Sequence, residues 1–550
     1  MLRVLLVALA LLAATPVESR ARAGAVATEH RLAADAGAAM LADGGSAVDA
    51  AVAAAAAVCV VHPSSCGLGG GGFALVHDAA SGRDFALDYR ETAPAGAVPE
   101  LYRTDGKPDP AKLRTGPLSI GVPGEPAGLV ALHRRFGRLP LSRVLEPAAR
   151  LARDGFALAD APHVAREIER SRGLLAGDEG LRAIFLAPDG SVPDASFRVV
   201  QPDLARTMET LGRDGDASFY RGPIAAAIVA STKARGGVLT DADLAAYRPV
   251  WREPLHGRFR GRRIVAFPPP GSGGVVLAVL GILADDDLAA LGAGSATTLH
   301  LLAGAMVRGF DDRARWYGDP AFTNVPLGML LDPGRLKRMR AELSTLRPAT
   351  ADGAPAADAG TAHVSVVDAE GNAVAITTTI NTGFGAGILA AGTGVILNNE
   401  LEDFALEPGL PNVFGLVGTE ANALRPGKRP QSSMSPTIIL RGRRPELVVG
   451  ASGGPFIISG TLQATLGVTA FGLGVREAID APRIHDQGVP PVLLLEPGVD
   501  AEARRMLERA GYRVKVIPAI GAVAGAGLRA DGSPAAAGDH RKDGGEAVVR

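Results

Sequence analysis

The clearest hydrophobic pattern in this chain is an alternation of apolar and polar positions that begins at Thr361. Residues 361–368 read TAHVSVVD, the turn AEGN follows, and residues 373–382 read AVAITTTINT. Alternation with a period of two, rich in β-branched residues, predicts two antiparallel strands connected at Glu370 to Asn372. Further strands are predicted in the segments FALVHD, FALDYRE, FRGRRIVAF, GVILNN, TIIL, ELVVG and PPVLLLE.

Other segments carry the spacing of helices. Ala25 to Val61 is rich in Ala, includes the run AVDAAVAAAAAV and has few helix breakers, so we expect one buried helix there. Helical spacing also covers residues 129–156, 203–247, 458–473 and 499–510, and the segment GGVVLAVLGIL. The chain lacks a regular alternation of strand and helix. The pattern therefore predicts a layered enzyme fold of the α/β or α+β type.

Size and charge narrow the class of protein. The 550 residues exceed the roughly 250 to 300 that one core comfortably holds, which predicts two lobes or one large layered sandwich. Hydrophobic residues make up 47% and charged residues 21%, as in a globular protein. Lys plus Arg count 57 and Asp plus Glu 58, so no basic field exists to gather nucleic acid or an anionic membrane. We expect no nucleic-acid partner.

The first 24 residues resemble a secretory signal. Arg3 precedes an unbroken apolar run from Val4 to Ala14, and small residues and a Pro follow it. Eleven helical residues rise only about 16 Å, so the run does not span a bilayer by itself. We expect cleavage between Thr15 and Gly24, and a periplasmic or secreted protein without a membrane anchor.

The two cysteines, Cys59 and Cys66, leave two alternatives open. An exported protein can join such a pair in a disulfide. Helical residues seven apart lie about 10 Å from each other, so the bond requires the helix to end near Pro63. In either case the cysteines are structural. Two cysteines are fewer thiolates than structural zinc sites usually use, and no zinc site is predicted.

Two glycine-rich segments match known functional motifs. Gly67, Gly69 and Gly72 satisfy GxGxxG, but a helix precedes them and a strand follows, the reverse of a dinucleotide site. The run 450–454 (GASGG) satisfies GxSxG between a strand and a helix, as in a nucleophile elbow. A serine hydrolase using Ser452, with His485 and Asp480 in the right chain order, is therefore an alternative function.

The third motif is Gly360-Thr361, a small residue before a Thr that opens a strand. It follows residues 348–360 (PATADGAPAADAG), whose composition predicts a mobile surface linker. A Thr hydroxyl is a poor nucleophile without a base beside it. Self-cleavage before Thr361 supplies one, because the new α-amine then serves as the base. That amine titrates near about 7.7 to 8.0, which suits a general base.

Residues 361–385 (TAHVSVVDAEGNAVAITTTINTGFG) resemble the signature of the γ-glutamyltranspeptidases, N-terminal nucleophile hydrolases made as one self-cleaving precursor. The resemblance extends in order over nearly all of the chain after the signal. It includes GLGGGGF (67–73), DYRETAP (88–94), GVPGEPAG (121–128), PPPGSGG (268–274), NNELEDF (398–404), PGKRPQSSMSPT (426–437) and SGG (452–454). It implies an α+β fold, a four-layer αββα sandwich.

The resemblance also implies roles for particular residues. Thr361 matches the nucleophile, and Thr379 the Thr that hydrogen-bonds the nucleophile's new amine. Cleavage at Gly360–Thr361 would give a large subunit, 25–360, and a small subunit, 361–550, as a heterodimer. The oxyanion-hole glycines correspond to Gly453 and Gly454, the α-carboxylate ligands to Arg90, Ser432 and Ser433, and the α-amine ligands to Asn381, Glu400 and Asp403.

These residue types suit a free glutamyl head. An Arg fork with two hydroxyls recognises a carboxylate, and two carboxylates with an amide oxygen recognise an ammonium. The implied substrates are glutathione and related γ-glutamyl compounds, with water, an amino acid or a dipeptide as acceptor. No metal or organic cofactor is implied. Two departures stand out: Ala362 replaces a hydroxyl residue common in the family, and Phe414, in a lid-like loop at 408–418, replaces a Tyr.

Two further alternatives belong to the resemblance itself. A family relative could act on other acyl amides, such as cephalosporin side chains, although Arg90, Asn381 and Asp403 are all present. An uncleaved and inactive chain that keeps the pocket would be a binding protein. A denaturing gel separates this case, since processing gives two bands.

Overall fold

We analysed a computed structural model that describes residues 23–343 and 360–549. The expected signal peptide up to residue 22, and the linker between 344 and 359, lie outside the described residues. The strands are β1 Gly24–Thr28, β2 Gly71–Asp78, β3 Arg83–Asp88, β4 Arg103–Thr104, β5 Lys107–Pro108, β6 Phe156–Ala157, β7 Arg198–Val199, β8 Val250–Arg252, β9 Leu255–Phe259, β10 Arg262–Ala266, β11 Gly360–Asp368, β12 Ala373–Asn381, β13 Leu389–Ala390, β14 Val395–Ile396, β15 Thr437–Arg441, β16 Arg444–Ser452, β17 Ile484–His485, β18 Leu493–Leu495, β19 Val514–Val516, β20 Ala522–Leu528, β21 Pro534–Gly538 and β22 Gly545–Val549.

The helices surround these strands. They are α1 Arg31–Ala42, α2 Ala47–Val61, α3 Ala111–Arg114, α4 Glu125–Phe136, α5 Leu141–Asp154, α6 Pro162–Arg170, α7 Arg172–Ala176, α8 Glu179–Phe185, α9 Pro202–Asp214, α10 Ala217–Tyr220, α11 Pro223–Lys233, α12 Asp241–Ala246, α13 Gly273–Ile282, α14 Leu288–Leu291, α15 Ala296–Trp316, α16 Leu327–Leu330, α17 Pro333–Glu342, α18 Phe456–Thr469, α19 Val475–Asp480 and α20 Ala501–Arg509. Within the described ranges, none of them is both long and apolar enough to cross a membrane.

Two antiparallel sheets form the centre. One has the order β22-β1-β11-β12-β2-β3-β8 and the other β21-β20-β16-β15-β10-β9. Val26 of β1 packs into the core under α1, α2 and α5, whereas its neighbours Ala25 and Ala27 pack into the core shared with the second sheet. The second core continues through β15 and β16 to α13, α15 and α18. The layers are therefore helix, sheet, sheet, helix, and the predicted αββα sandwich is confirmed.

The predicted hairpin at Thr361 is also confirmed. Strands β11 and β12 pair along their length, with Thr361 opposite Thr379, and both strands are buried throughout. Because side chains alternate across a strand, Val364 and Val366 face α2 while Thr361 and His363 face the second sheet. His363 lies directly against Gly450 of β16, where a Cβ atom would come within 2.3 Å of its ring.

The prediction of one helix over Ala25 to Val61 is wrong. The segment contains β1, α1 and α2. Gly44 has a φ of +82°, which stops α1, and Ser46 begins α2 through a reciprocal capping box with Asp49. The strand was missed because small apolar residues buried on every side show no period that separates a strand from a helix.

Of the two alternatives for the cysteines, a disulfide or free thiols, the structure has the free thiols. Helix α2 ends at Val61, two residues before Pro63, yet Cys59 and Cys66 are both free and buried. Burial raises the pKa of both thiols, so they are neutral packing residues.

Candidate active site

Thr361 lies at the start of β11, in the space between the two sheets, and its side chain is buried. Its Oγ1 is 3.2 Å from the Oγ1 of Thr379, the residue paired with it on β12. Thr379 donates a short hydrogen bond to the carbonyl oxygen of Gly360 and accepts one from the amide of Asn381 at 2.8 Å. The hydroxyl of Thr379 therefore contacts both the candidate nucleophile and the carbonyl before it.

Gly453 and Gly454 follow the last residue of β16 and precede α18. Their φ angles are +113° and +57°, which favour glycine and turn the chain sharply. Within the described part of the chain, neither glycine N–H is engaged in a hydrogen bond. Two free amides just before a helix N-terminus suit a developing negative charge. A cavity of about 680 Å³ opens beside Gly453.

The buried ammonium group of Lys542 connects β11, which begins with Gly360 and Thr361, to the turn at Gly453 and Gly454. The Nζ of Lys542 donates to the carbonyl oxygen of Thr361 at 2.8 Å and to the Oγ of Ser452 at 3.4 Å. It also forms an ion pair with Glu29 at 2.6 Å. Burial opposes ionisation of Glu29, but Lys542 and His62 outweigh it and hold the pKa of that carboxyl below its ordinary value. Sequence analysis missed Lys542; its only signal is that lysines are scarce here, seven in all.

The predicted head-group residues do come together. Arg90 is fully buried and forms ion pairs with Glu400 and with Asp403. Its Nε and Nη2 also reach the carbonyl oxygens of Pro430 and Gln431, each at 3.4 Å. Arg90 thus joins the turn of Glu400–Asp403 to the segment that leads into the two serines.

The protonation of these carboxyls follows from their contacts. Glu91 lies 3.9 Å from Arg90, whereas Glu400 touches it. Burial and the charge of Glu400 raise the pKa of Glu91 well above its ordinary value. Burial raises the pKa of Glu400 to about 7, although its contact with Arg90 opposes that rise, and we infer that Glu91 is the neutral member of this pair of carboxyls. Burial also raises the pKa of Asp403, against the attraction of Arg90 and Arg313.

Asn381 and the two serines line the same region. Asn381 has a φ of +79°, and its Nδ2 donates to the carbonyl oxygen of Asn399, next to Glu400, at 3.1 Å. The Oγ of Ser432 accepts from the amide of Met434 at 3.1 Å, and the Oγ of Ser433 accepts from Arg313 at 3.3 Å. Both hydroxyls thus act as acceptors, and their own hydrogens have no acceptor among the described residues.

The lid-like loop at 408–418 contacts this site. The Nδ2 of Asn412 lies 3.4 Å from Oδ1 of Asp403, and the amide of Val413 donates to Glu402. Phe414 is buried, and its carbonyl oxygen accepts from Gln487 at 3.3 Å. Phe414 therefore fixes the loop by packing, since its ring carries no hydroxyl.

The alternative serine triad is not assembled. The hydroxyl of Ser452 accepts from Lys542, while the two ring nitrogens of His485 contact Ser459 at 2.7 Å and Gln487 at 3.0 Å. Asp480 instead faces Arg476 and His540. Ser452 therefore lacks the His and Asp that its motif suggested.

Two glycines of the GxGxxG run, Gly69 and Gly72, lie where another part of the backbone comes close. A Cβ atom on Gly69 would lie 2.0 Å from the carbonyl oxygen of Ile396, and one on Gly72 would lie 2.3 Å from that of Thr377. These positions require glycine because neighbouring backbones approach closely. Among the described residues, no group of His, Cys, Asp and Glu is arranged to hold a metal ion.

Known proteins share both the sequence and the fold. The family model described as Gamma-glutamyltranspeptidase matches residues 33–549. The chain is 39% identical to a glutathione hydrolase proenzyme of Escherichia coli over 95% of its own length and 91% of that protein. A cephalosporin acylase from Bacillus halodurans superposes with a TM-score of 0.85 at 29% identity, over 97% of this chain and 98% of that one.

A third relative is a γ-glutamyltranspeptidase structure from Helicobacter pylori. It is 34% identical, has a TM-score of 0.55, and covers 59% of this chain and 91% of its own. Because the family match spans nearly the whole described chain and the identity to the E. coli protein extends over almost its full length, this chain belongs to the γ-glutamyltranspeptidase family.

Proposed function

We propose that this enzyme cleaves the γ-glutamyl amide of glutathione and related compounds and passes the acyl group to water, an amino acid or a dipeptide. Family membership and 39% identity to a glutathione hydrolase proenzyme support the activity. The observation that carries the substrate class is the buried cluster of Arg90 with Glu400 and Asp403. The direct test is turnover of glutathione with and without an acceptor dipeptide. No turnover in either assay would contradict the proposal.

The enzyme matures by cutting its own chain at Gly360–Thr361. The Oγ of Thr361 attacks the carbonyl carbon of Gly360, the amide nitrogen leaves and takes the hydroxyl proton, and an ester forms. Water then hydrolyses the ester and frees the α-amine of Thr361. The hydrogen bond from Thr379 to the oxygen of Gly360 supports this route, because it stabilises the charge that builds on that oxygen.

In the mature enzyme the free α-amine of Thr361 is the general base. It takes the proton of Oγ as Oγ attacks the γ-amide carbon, and then gives a proton to the leaving amine. The N–H groups of Gly453 and Gly454 stabilise the oxyanion, and the cavity beside Gly453 has room for the leaving group. Water or an acceptor amine then attacks the γ-glutamyl ester by the reverse steps.

The glutamyl head is recognised by its two charges. Arg90, Ser432 and Ser433 bind the α-carboxylate, and Asn381, Glu400 and Asp403 bind the α-ammonium. A zwitterion adds no net charge to the buried site. This matters because an uncompensated buried charge costs several kcal/mol.

The structural similarity to a cephalosporin acylase favours one second candidate, an acylase for other side chains. Such acyl groups need not carry an α-ammonium, so a site for them gains nothing from Glu400 and Asp403 buried beside Arg90. We therefore rank γ-glutamyl substrates first. Relative turnover of γ-glutamyl- and glutaryl-p-nitroanilide, which differ only in the α-ammonium, separates the two.

We predict that Thr361→Ala gives one full-length chain without activity, because the attacking hydroxyl is gone. Thr361→Ser should still mature, since it keeps the hydroxyl. A denaturing gel and a γ-glutamyl-p-nitroanilide assay check both. Two normal subunits from Thr361→Ala would contradict the assignment, and so would a single inactive wild-type chain.

We predict that Gly360→Ala slows maturation by about tenfold to a hundredfold, because displacement of reacting atoms is costly. A Cβ atom there would lie 2.6 Å from the carbonyl oxygen of Ser64 and 2.9 Å from that of Thr382. The rate is measured by the appearance of subunits on a gel. Gly328→Ala is the control, since its Cβ would meet nothing within 4 Å. Equal rates in wild type and Gly360→Ala would refute this constraint.

We predict that Arg90→Ala and Asp403→Ala each lose about 2 to 5 kcal/mol of transition-state binding, because each leaves a buried substrate charge unpaired. This corresponds to roughly thirtyfold to several-thousandfold in kcat/KM for γ-glutamyl-p-nitroanilide. Both variants should mature, since self-cleavage needs no free glutamyl head. Asp403→Asn should gain turnover of glutaryl-p-nitroanilide. Near-normal kcat/KM in both alanine variants would rule out the pocket assignment.

We further propose that the chain is exported to the periplasm or secreted, on the strength of Arg3 and the Val4 to Ala14 run. Edman sequencing of the mature large subunit should then start downstream of Ala14. Met1 at the N-terminus of active cytoplasmic enzyme would exclude export.

A further inference from the structure

Arg313 is a buried arginine that neither the sequence motifs nor the proposed mechanism uses. It lies in the last turn of α15, and its side chain is almost fully buried. Its Nε donates to the Oγ of Ser272 at 3.0 Å, and its Nη2 donates to the Oγ of Ser433 at 3.3 Å. Within the described residues, no carboxylate lies within ion-pair distance of this guanidinium. Burial lowers the pKa of Arg313 to about 10, so it is still charged at neutral pH.

Arg90 differs from Arg313 in having carboxylate partners. Arg90 already contacts two carboxylates, Glu400 and Asp403, and two carbonyl oxygens. Its charge is therefore compensated inside the protein before any substrate binds. A substrate carboxylate placed beside Arg90 adds another negative charge there, and a nearby cation that has no carboxylate in contact lowers the cost of burying that charge. Arg313 is such a cation, on the serine side of the same site.

Arg313 also sets the direction in which the serines donate. Because its Nη2 donates to Ser433, the hydroxyl hydrogen of Ser433 must point elsewhere. Ser272, held by the Nε of Arg313, donates to the carbonyl oxygen of Ser432 at 2.5 Å. The amide of Gln431 is held too, since its Nε2 donates to the carbonyl oxygen of Arg313 at 2.9 Å. The guanidinium of Arg313 thus holds Ser272 and Ser433, and its backbone carbonyl holds Gln431, in the segment that would face a carboxylate.

We propose that Arg313 is a specificity-determining positioning residue for the substrate's α-carboxylate: it orients Ser433 to donate to the carboxylate and adds a second positive charge to that of Arg90. This inference rests on the proposed function and deepens it. Arg90 keeps its contact with the α-carboxylate, and Arg313 acts on the same group through the serines.

The test compares two substrates that differ only in the α-carboxylate, γ-glutamyl-p-nitroanilide and 4-aminobutyryl-p-nitroanilide. In Arg313→Met, kcat/KM should fall about thirtyfold or more for the first substrate, as for other unpaired buried charges, and less than about threefold for the second. Most of the loss should appear in KM. Arg313→Lys should recover part of it, since the charge returns without the fork.

The matched control is Arg335→Met. Arg335 lies near the same helix but pairs with its own carboxylate, Asp312, at 2.6 Å. The Arg335→Met variant should leave the ratio of kcat/KM for the two substrates unchanged. If Arg313→Met does not mature, the ratio is taken on Arg313→Gln and Arg313→Lys, which keep donors for the serines.

The outcomes are distinguishable from those of the proposed function. A wild-type enzyme that does not cleave γ-glutamyl-p-nitroanilide would overturn the proposed function itself. An active wild type whose Arg313 variants lose both substrates equally, or lose neither, would overturn the role of Arg313 alone. A selective loss on the α-carboxylate substrate supports it.

Discussion

The arrangement of the active site depends on one buried ammonium group. Lys542 joins Glu29, at the end of β1, to the carbonyl of Thr361 and to Ser452, the residue before the glycine turn. Thr361, the proposed nucleophile, and the glycine turn belong to different sheets, and ordinary packing would let two sheets shift relative to each other. A charge that is shared between them, and balanced by Glu29, makes such a shift costly because the ammonium would lose its partners in a dry environment.

Charge balance also explains why the head-group site can be so deeply buried. Arg90 contacts Glu400 and Asp403, Arg313 lies on the serine side of the same region, and burial keeps Glu91 neutral. Two cations therefore lie beside two carboxyl groups, and a zwitterionic ligand adds no net charge to them. A ligand with only one of the two charges would upset the balance in a region of low dielectric constant. Discrimination between acyl groups can therefore be strong without many contacts.

Much of this could be predicted from the sequence, and the failures have physical causes. The hairpin around Thr361 was predictable because alternation is a local signal, and the layered α+β class followed from the mix of elements. The strand β1 was not, since a fully buried strand of small residues shows no period. Lys542 and Arg313 were missed because their contacts are distant in sequence. Lys542 pairs with Glu29, hundreds of positions earlier, and Arg313 contacts Ser433, 120 positions later, so no local motif records either contact.

The similarity to an acylase distinguishes the residues that lie on the shared strands from those that lie on the loops. A TM-score of 0.85 at 29% identity means that the layers and the central hairpin are common to both proteins. Thr361, the proposed nucleophile, and Thr379 belong to that hairpin, so both are positioned by the central strands of the fold. Glu400 and Asp403 instead lie in a short turn between strands, and the two serines lie in a segment before β15. The residues that we propose for acyl specificity therefore lie on irregular segments, which can change without disturbing the strands that carry Thr361 and Thr379.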